Sequence, residues 1–167
     1  MIDSELDTPS MIANMLQIAG PAILQLLLAL LQEIVNLFFA GHLGDPVLMA
    51  AVGIGNMFIN AFFLAIVMGL NFTISTFTAQ FYGAGNVQIC GLYLNRGRVV
   101  LSIVVPVLAV LMLVARPILR GVLMQDAEVA AYAQRYISSM LPGLIAYAYY
   151  DAAKSFLNGF GLTKVPM

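Results

Sequence analysis

Four stretches of some twenty mostly apolar residues run through this chain, at about 19–40, 48–71, 99–118 and 132–157. A stretch of that length has one natural solvent, because a helix needs about 20 such residues to cross ~30 Å of hydrocarbon. In lipid every backbone polar group must find an internal partner, so a spanning segment is either a helix or part of a closed barrel. Strand-like alternation is missing from these stretches, which leaves helices. The expected fold class is therefore all-α: a polytopic membrane protein with about four transmembrane helices, preceded by a short polar tail at 1–18. Composition agrees, with 62% hydrophobic and 9% charged residues, against roughly 25% charged in soluble domains.

The punctuation between the stretches fits helices that turn back on themselves. Gly41-His42-Leu43-Gly44-Asp45-Pro46 reads as a tight turn, and Tyr82-Gly83-Ala84-Gly85-Asn86 as a second break. Leu92 to Arg98 is expected to form a short interfacial helix before the third span. Gln125 to Glu128 places acids at the start of the fourth, where the helix dipole favours them. Asp3, Glu5 and Asp7 precede the first apolar run, whereas a secretory signal opens on basic residues. That run is read as a retained helix. Arg96, Arg98, Lys154 and Lys164 gather on one side and Arg116 and Arg120 on the other, which places both termini in the cytoplasm by the positive-inside rule.

Polar residues inside the spans carry the functional information. On a helical wheel Gln25, Gln32, Glu33 and Asn36 share roughly a third of the circumference of the first span. In the second, Gly53, Asn56, Asn60, Asn71, Ser75 and Thr78 line one face. A carboxylate at mid-span costs roughly 2.5–3.5 kcal/mol on insertion scales, so such seams face other helices or a wet cavity. They serve as a path for substrate or ions, or as interhelical hydrogen bonds worth about 0.6 kcal/mol each. The second reading is the commoner for any single Asn or Gln. Glu33 is the exception: it has no obvious basic partner in the spans, is expected to be buried, and is the leading candidate for carrying a proton. Asp151 has Lys154 three residues on and is expected to form a local ion pair, with a direct role in transport as the lesser alternative.

Other signals are weaker. His42 is the single histidine and sits in a turn, so no metal site is expected. Pro21 and Pro142 are candidates for bending their helices. Pro117 and Pro21 also suit helix ends. Gly53-Ile54-Gly55 lies within an apolar helix and reads as close packing rather than phosphate binding. Enzyme signatures such as a Walker loop, HExxH or GxSxG are missing, so no enzyme and no cofactor is expected. A net charge of −1 gives no basic face for nucleic acid.

Ala40-Gly41-His42-Leu43-Gly44-Asp45, Ala51-Val52-Gly53-Ile54-Gly55-Asn56 and Gln80-Phe81-Tyr82-Gly83-Ala84-Gly85-Asn86 stand in order. Leu94-Asn95-Arg96-Gly97, Gln125-Asp126, Leu141-Pro142-Gly143 and Gly161-Leu162-Thr163-Lys164-Val165-Pro166-Met167 follow. Together they resemble the first spans of the multidrug and toxic compound extrusion (MATE) transporters, over nearly the whole chain after its tail. The resemblance implies part of the N-terminal lobe of a twelve-helix fold with a central cleft. It also implies exchange of H⁺ or Na⁺ for drugs, organic cations and other amphipathic compounds. The chain reads as the first third of such a transporter, needing further helices or a partner chain to transport.

The resemblance also carries expectations for individual residues. Pro21 matches a family proline implicated in bending. Asn36 falls where several bacterial members carry an aspartate of the N-lobe cation site, and Ser75 where other members have an acid. Both departures remove a carboxylate. Glu33 lies one turn before Asn36 on the same side and is the residue that could take over. Asp151 and Lys154 match an acid and a base near the end of the fourth helix. Two rival readings stand beside this one: a small four-helix exporter working as a dimer, and a membrane scaffold that does not transport.

Overall fold

The computed structural model describes residues 8–42 and 44–161, with side chains from residue 19 onward apart from 21, 22 and 43. The described residues form α1 (Thr8–Gly41), α2 (Pro46–Ile59), a π-helical turn (Asn60–Leu64), α3 (Ala65–Gly83), α4 (Val87–Leu113), α5 (Ala115–Gly121) and α6 (Ala127–Gly159). α2, the π turn and α3 make one continuous rod of 38 residues. At 1.5 Å per residue it is about 57 Å long and overshoots the hydrocarbon layer at its ends. The rod, α4 and the 23–41 part of α1 are long and apolar enough to cross a membrane. α6 has the length, at 33 residues, but more polar side chains than these three.

Local chemistry sets the turns. Gly44 takes φ +69°. Asp45 then caps α2, its carboxylate accepting from the Val47 N–H at 2.8 Å, with Pro46 at the first helical position. α3 closes with the Ala84 N–H donating to Gln80 O and the Asn86 N–H to Phe81 O, while Gly85 takes φ +77°. α4 stops four residues before Pro117, where the proline ring would meet the preceding turn's carbonyl. α6 runs through Pro142 without interruption.

α6 is the hub of the bundle and lies against α2, α3 and α4. Phe58, Phe63, Val67, Leu101, Met112, Leu119 and Ile137 are fully buried between these helices. Three glycines permit close approach. A methyl group added at Gly55 would sit 2.8 Å from the Tyr136 ring, at Gly97 2.5 Å from Ile74, and at Gly159 2.6 Å from Thr78. α1 touches mainly α2, and only 6% of its apolar span is buried.

Several boundaries differ from the sequence expectation. α1 begins at Thr8, inside the segment assigned to the tail, with Pro9 in its first turn, where a missing N–H costs no helical bond, and it continues through Gly20 and Pro21. The second span continues past 71 to Gly83. The short interfacial helix and third span are one helix that ends at Leu113, and 115–118 belong to α5. The fourth span extends to 127 and 159. Residues 1–7, Leu43 and the terminal motif from Leu162, with Lys164, lie outside the described residues, as does the side chain of Pro21.

Candidate functional site

The polar seams of the first two spans meet along the α1–α2 contact. They form an open cleft of about 200 Å³ lined by Glu33, Asn36 and Leu37 on one side and Val52, Gly53 and Asn56 on the other. Asn56 Nδ2 donates to Glu33 Oε2 at 2.7 Å. Asn60 Nδ2 donates in turn to the Asn56 backbone oxygen at 2.9 Å and more distantly to its Oδ1. These amides form a relay that ends on the Glu33 carboxylate. At the edge of the cleft, Asn36 Nδ2 donates to the Tyr136 hydroxyl of α6 at 3.1 Å.

Glu33 is exposed, not buried as expected, because α1 packs on one neighbour and turns this flank into the open cleft. One of its oxygens is held by the Asn56 amide, and the residue itself lines the cleft. No basic residue lines the cleft among the described residues, so the carboxylate is available to a cation. Gly53 has nothing within 4 Å of its would-be Cβ and opens the cleft, whereas Gly55 makes the close packing. Gln32 is exposed and Gln25 half-buried, and neither lines the cleft.

The single polar face expected along the second span divides in two. The π turn takes up an extra residue: the Ala65 N–H reaches back five residues to Asn60 O. That correction keeps the row Ala51, Gly55, Ile59, Phe63, Val67 and Asn71 on the buried side. Asn56 and Asn60 lie on the flank toward α1, while Asn71 and Thr78 enter the core with Ser75 beside them.

Asp151 also departs from expectation. It is buried, and its partner is Asn71 rather than Lys154. Asn71 Nδ2 donates to Asp151 Oδ2 at 2.8 Å and, more weakly, toward Ala148 O at 3.4 Å. The sequence put Asn71 on a polar face but gave no reason to pair it with Asp151, eighty residues away. Gln134 went unnoticed altogether. It bridges the α4–α5 break, its Oε1 accepting from the Arg116 N–H at 2.7 Å and its Nε2 donating to Met112 O at 3.0 Å.

The bundle and its cleft define a multi-pass α-helical membrane protein with an acid-bearing groove between its first two spans. Residues 21–167 match the MatE family model, and the chain belongs to that family of membrane transporters, which are not enzymes. It is 34% identical to Protein DETOXIFICATION 31 of Arabidopsis thaliana, over 85% of this chain and 27% of that protein. It is 35% identical to Protein DETOXIFICATION 38 of the same plant, over 86% of this chain and 28% of the relative. The chain therefore spans just over a quarter of the length of these relatives.

Proposed function

We propose that this chain supplies the cation and cargo cleft of a secondary antiporter that exports amphipathic or cationic small molecules, drugs among them, in exchange for H⁺ or Na⁺. The observation that carries the reading is the Glu33 carboxylate, held by the Asn56–Asn60 relay at the open cleft between α1 and α2. A relay of this kind fixes the carboxylate without neutralising it. Coupling ion and cationic cargo then compete for one acid, and their competition links the two movements. Asn36 and Asn56 offer hydrogen bonds to cargo, while Leu37 and Val52 offer apolar surface. Gln32 and Gln25 continue the polar stripe along α1 beyond the cleft. The relatives' name, detoxification, agrees with small-molecule cargo.

Binding of tetraphenylphosphonium to the chain in lipid nanodiscs tests this reading. H⁺ or Na⁺ should compete with the dye-like cation in the unaltered chain. Glu33→Gln should weaken binding about tenfold, equivalent to about 1.4 kcal/mol. Gly53→Leu, which fills the cleft from a position with free space, should abolish it. Undiminished binding in both variants would remove the cleft from the mechanism.

A further inference from the structure

A second acid sits in the opposite environment to Glu33. Asp151 of α6 is 8% exposed and Asn71 of α3 is 1% exposed. The Asn71 amide spends its N–H groups on Asp151 and Ala148 O, and its Oδ1 is buried with no hydrogen-bond partner. A buried carboxylate with an amide donor and no cation is costly, and so is an orphaned amide oxygen beside it. A cation bound to the carboxylate relieves both, because the asparagine amide can turn over and present its oxygen, instead of its N–H groups, to the same place.

Lys154, three residues on from Asp151, is the one fixed positive charge close in sequence, and among the described residues it makes no ion pair with Asp151. α2 and the 65–81 part of α3 hold no titratable residue, nor does α4 between Val99 and Leu113. The charged groups of α4 on this side, Arg96 and Arg98, are exposed. On α6 itself the titratable neighbours are Tyr147, Tyr149, Tyr150 and Lys154, and Tyr149 is engaged with Ser102 of α4 at 3.1 Å. α1 contributes Glu33 at the cleft and α5 its arginines, Arg116 and Arg120, on the far side of the bundle. Both members of the pair are themselves almost out of reach of solvent, so any guest must be small.

We infer that Asn71 and Asp151 form a buried acceptor site for a small monovalent cation, H⁺ or Na⁺, separate from the Glu33 cleft. The cation takes the carboxylate on one side and the turned Asn71 oxygen on the other, tying α3 to α6. A proton bound to Asp151 removes one negative charge and donates to Asn71. Sodium leaves the carboxylate ionised and bridges the two oxygens. The inference deepens the antiport reading by adding a second cation site, yet its residues are independent of the cleft.

The test uses the whole chain in nanodiscs, with unfolding followed by a thiol-reactive dye at the buried Cys90. Replacing choline with sodium at constant ionic strength should raise the melting midpoint by about 4 °C if the guest is Na⁺. If it is H⁺, acidification without sodium should produce a protonated-carboxyl band in the infrared difference spectrum. Either signal supports the site when Asp151→Asn removes it and Glu33→Gln leaves it intact. Should Asp151→Asn fail to fold, Asn71→Leu keeps the carboxylate but deletes the acceptor oxygen, and should weaken the cation response at least tenfold. Absence of both signals in the unaltered chain, or their survival in the Asp151 and Asn71 variants, would overturn the inference.

Discussion

Gln134 shows how one side chain can decide whether a helix break is tolerated in an apolar bundle. Ending α4 at Leu113 frees the Met112 carbonyl and the Arg116 N–H, and Gln134 satisfies both while also donating to Ser138. Gln134→Ala strands the part-buried Met112 carbonyl as well as the exposed Arg116 N–H, and an unsatisfied buried group costs about 1–3 kcal/mol. The variant should melt several degrees lower by the Cys90 dye assay, whereas Gln32→Ala, on an exposed flank of α1, should melt within a degree or two. Gly159 offers a second test at this scale. Its added methyl would press on Thr78 Cβ and on the Ser75 backbone oxygen at 2.9 Å, neither of which can swing away. Gly97 presses only on the flexible end of Ile74. Gly159→Ala should therefore cost about 1–3 kcal/mol, the usual range for overpacking, and Gly97→Ala clearly less.

At the scale of the element, the π turn at Asn60–Leu64 explains what could and could not be read from the chain. Its extra residue rotates everything after it by about one residue's step, 100°. Deleting Ala61, which is exposed, should restore a plain α-helix and leave Asn56 and Asn71 on their present faces, because the turn already absorbs that residue. With cysteines at Glu33 and Asn56, a short bifunctional thiol reagent should link α1 to α2 equally in the natural length and after the deletion. Loss of linking after the deletion would show that the turn does not act by absorbing one residue. Helical character, the turns at Gly44 and Gly85, and the Glu33–Asn36 flank were legible because they depend on residues close in sequence. The split of the second span's polar face was not, since a wheel assumes a constant 100° per residue. The Asn71–Asp151 pair was hidden for the same reason, and because a lysine one turn away offers the simpler local partner. The exposure of Glu33 reflects how few neighbours α1 has, which periodicity alone does not report.

For the whole molecule, orientation in the membrane decides which compartment the cleft and the buried pair meet. The helices run antiparallel, so the loop after Gly41 and the α5–α6 connection lie at one end, and the Gly83–Val87 turn and the end of α6 at the other. Basic residues are shared between the ends: Arg96, Arg98 and Lys154 at the second, and Arg116 and Arg120 at the first. Arg135, which lies over the Tyr132 ring near the start of α6, joins the first end and makes the described residues three against three. Arg96 stands over Tyr93, which stacks on Phe77 and Phe81 at 4.9 Å. An arginine braced on aromatic rings suits the headgroup layer, where such rings concentrate. Lys164, outside the described residues, tips the sequence count toward the second end, and on that count we propose that the Gly83–Val87 turn faces the cytoplasm. Asp126→Cys and Asn86→Cys, at exposed positions in opposite connections, separate the two orientations. A membrane-impermeant thiol reagent added to intact cells should label the first and not the second, and permeabilised cells should label both. The reverse pattern would turn the molecule over, so that the Asn71–Asp151 pair, nearer the Arg96 end, faced the outside solution instead of the cytoplasm.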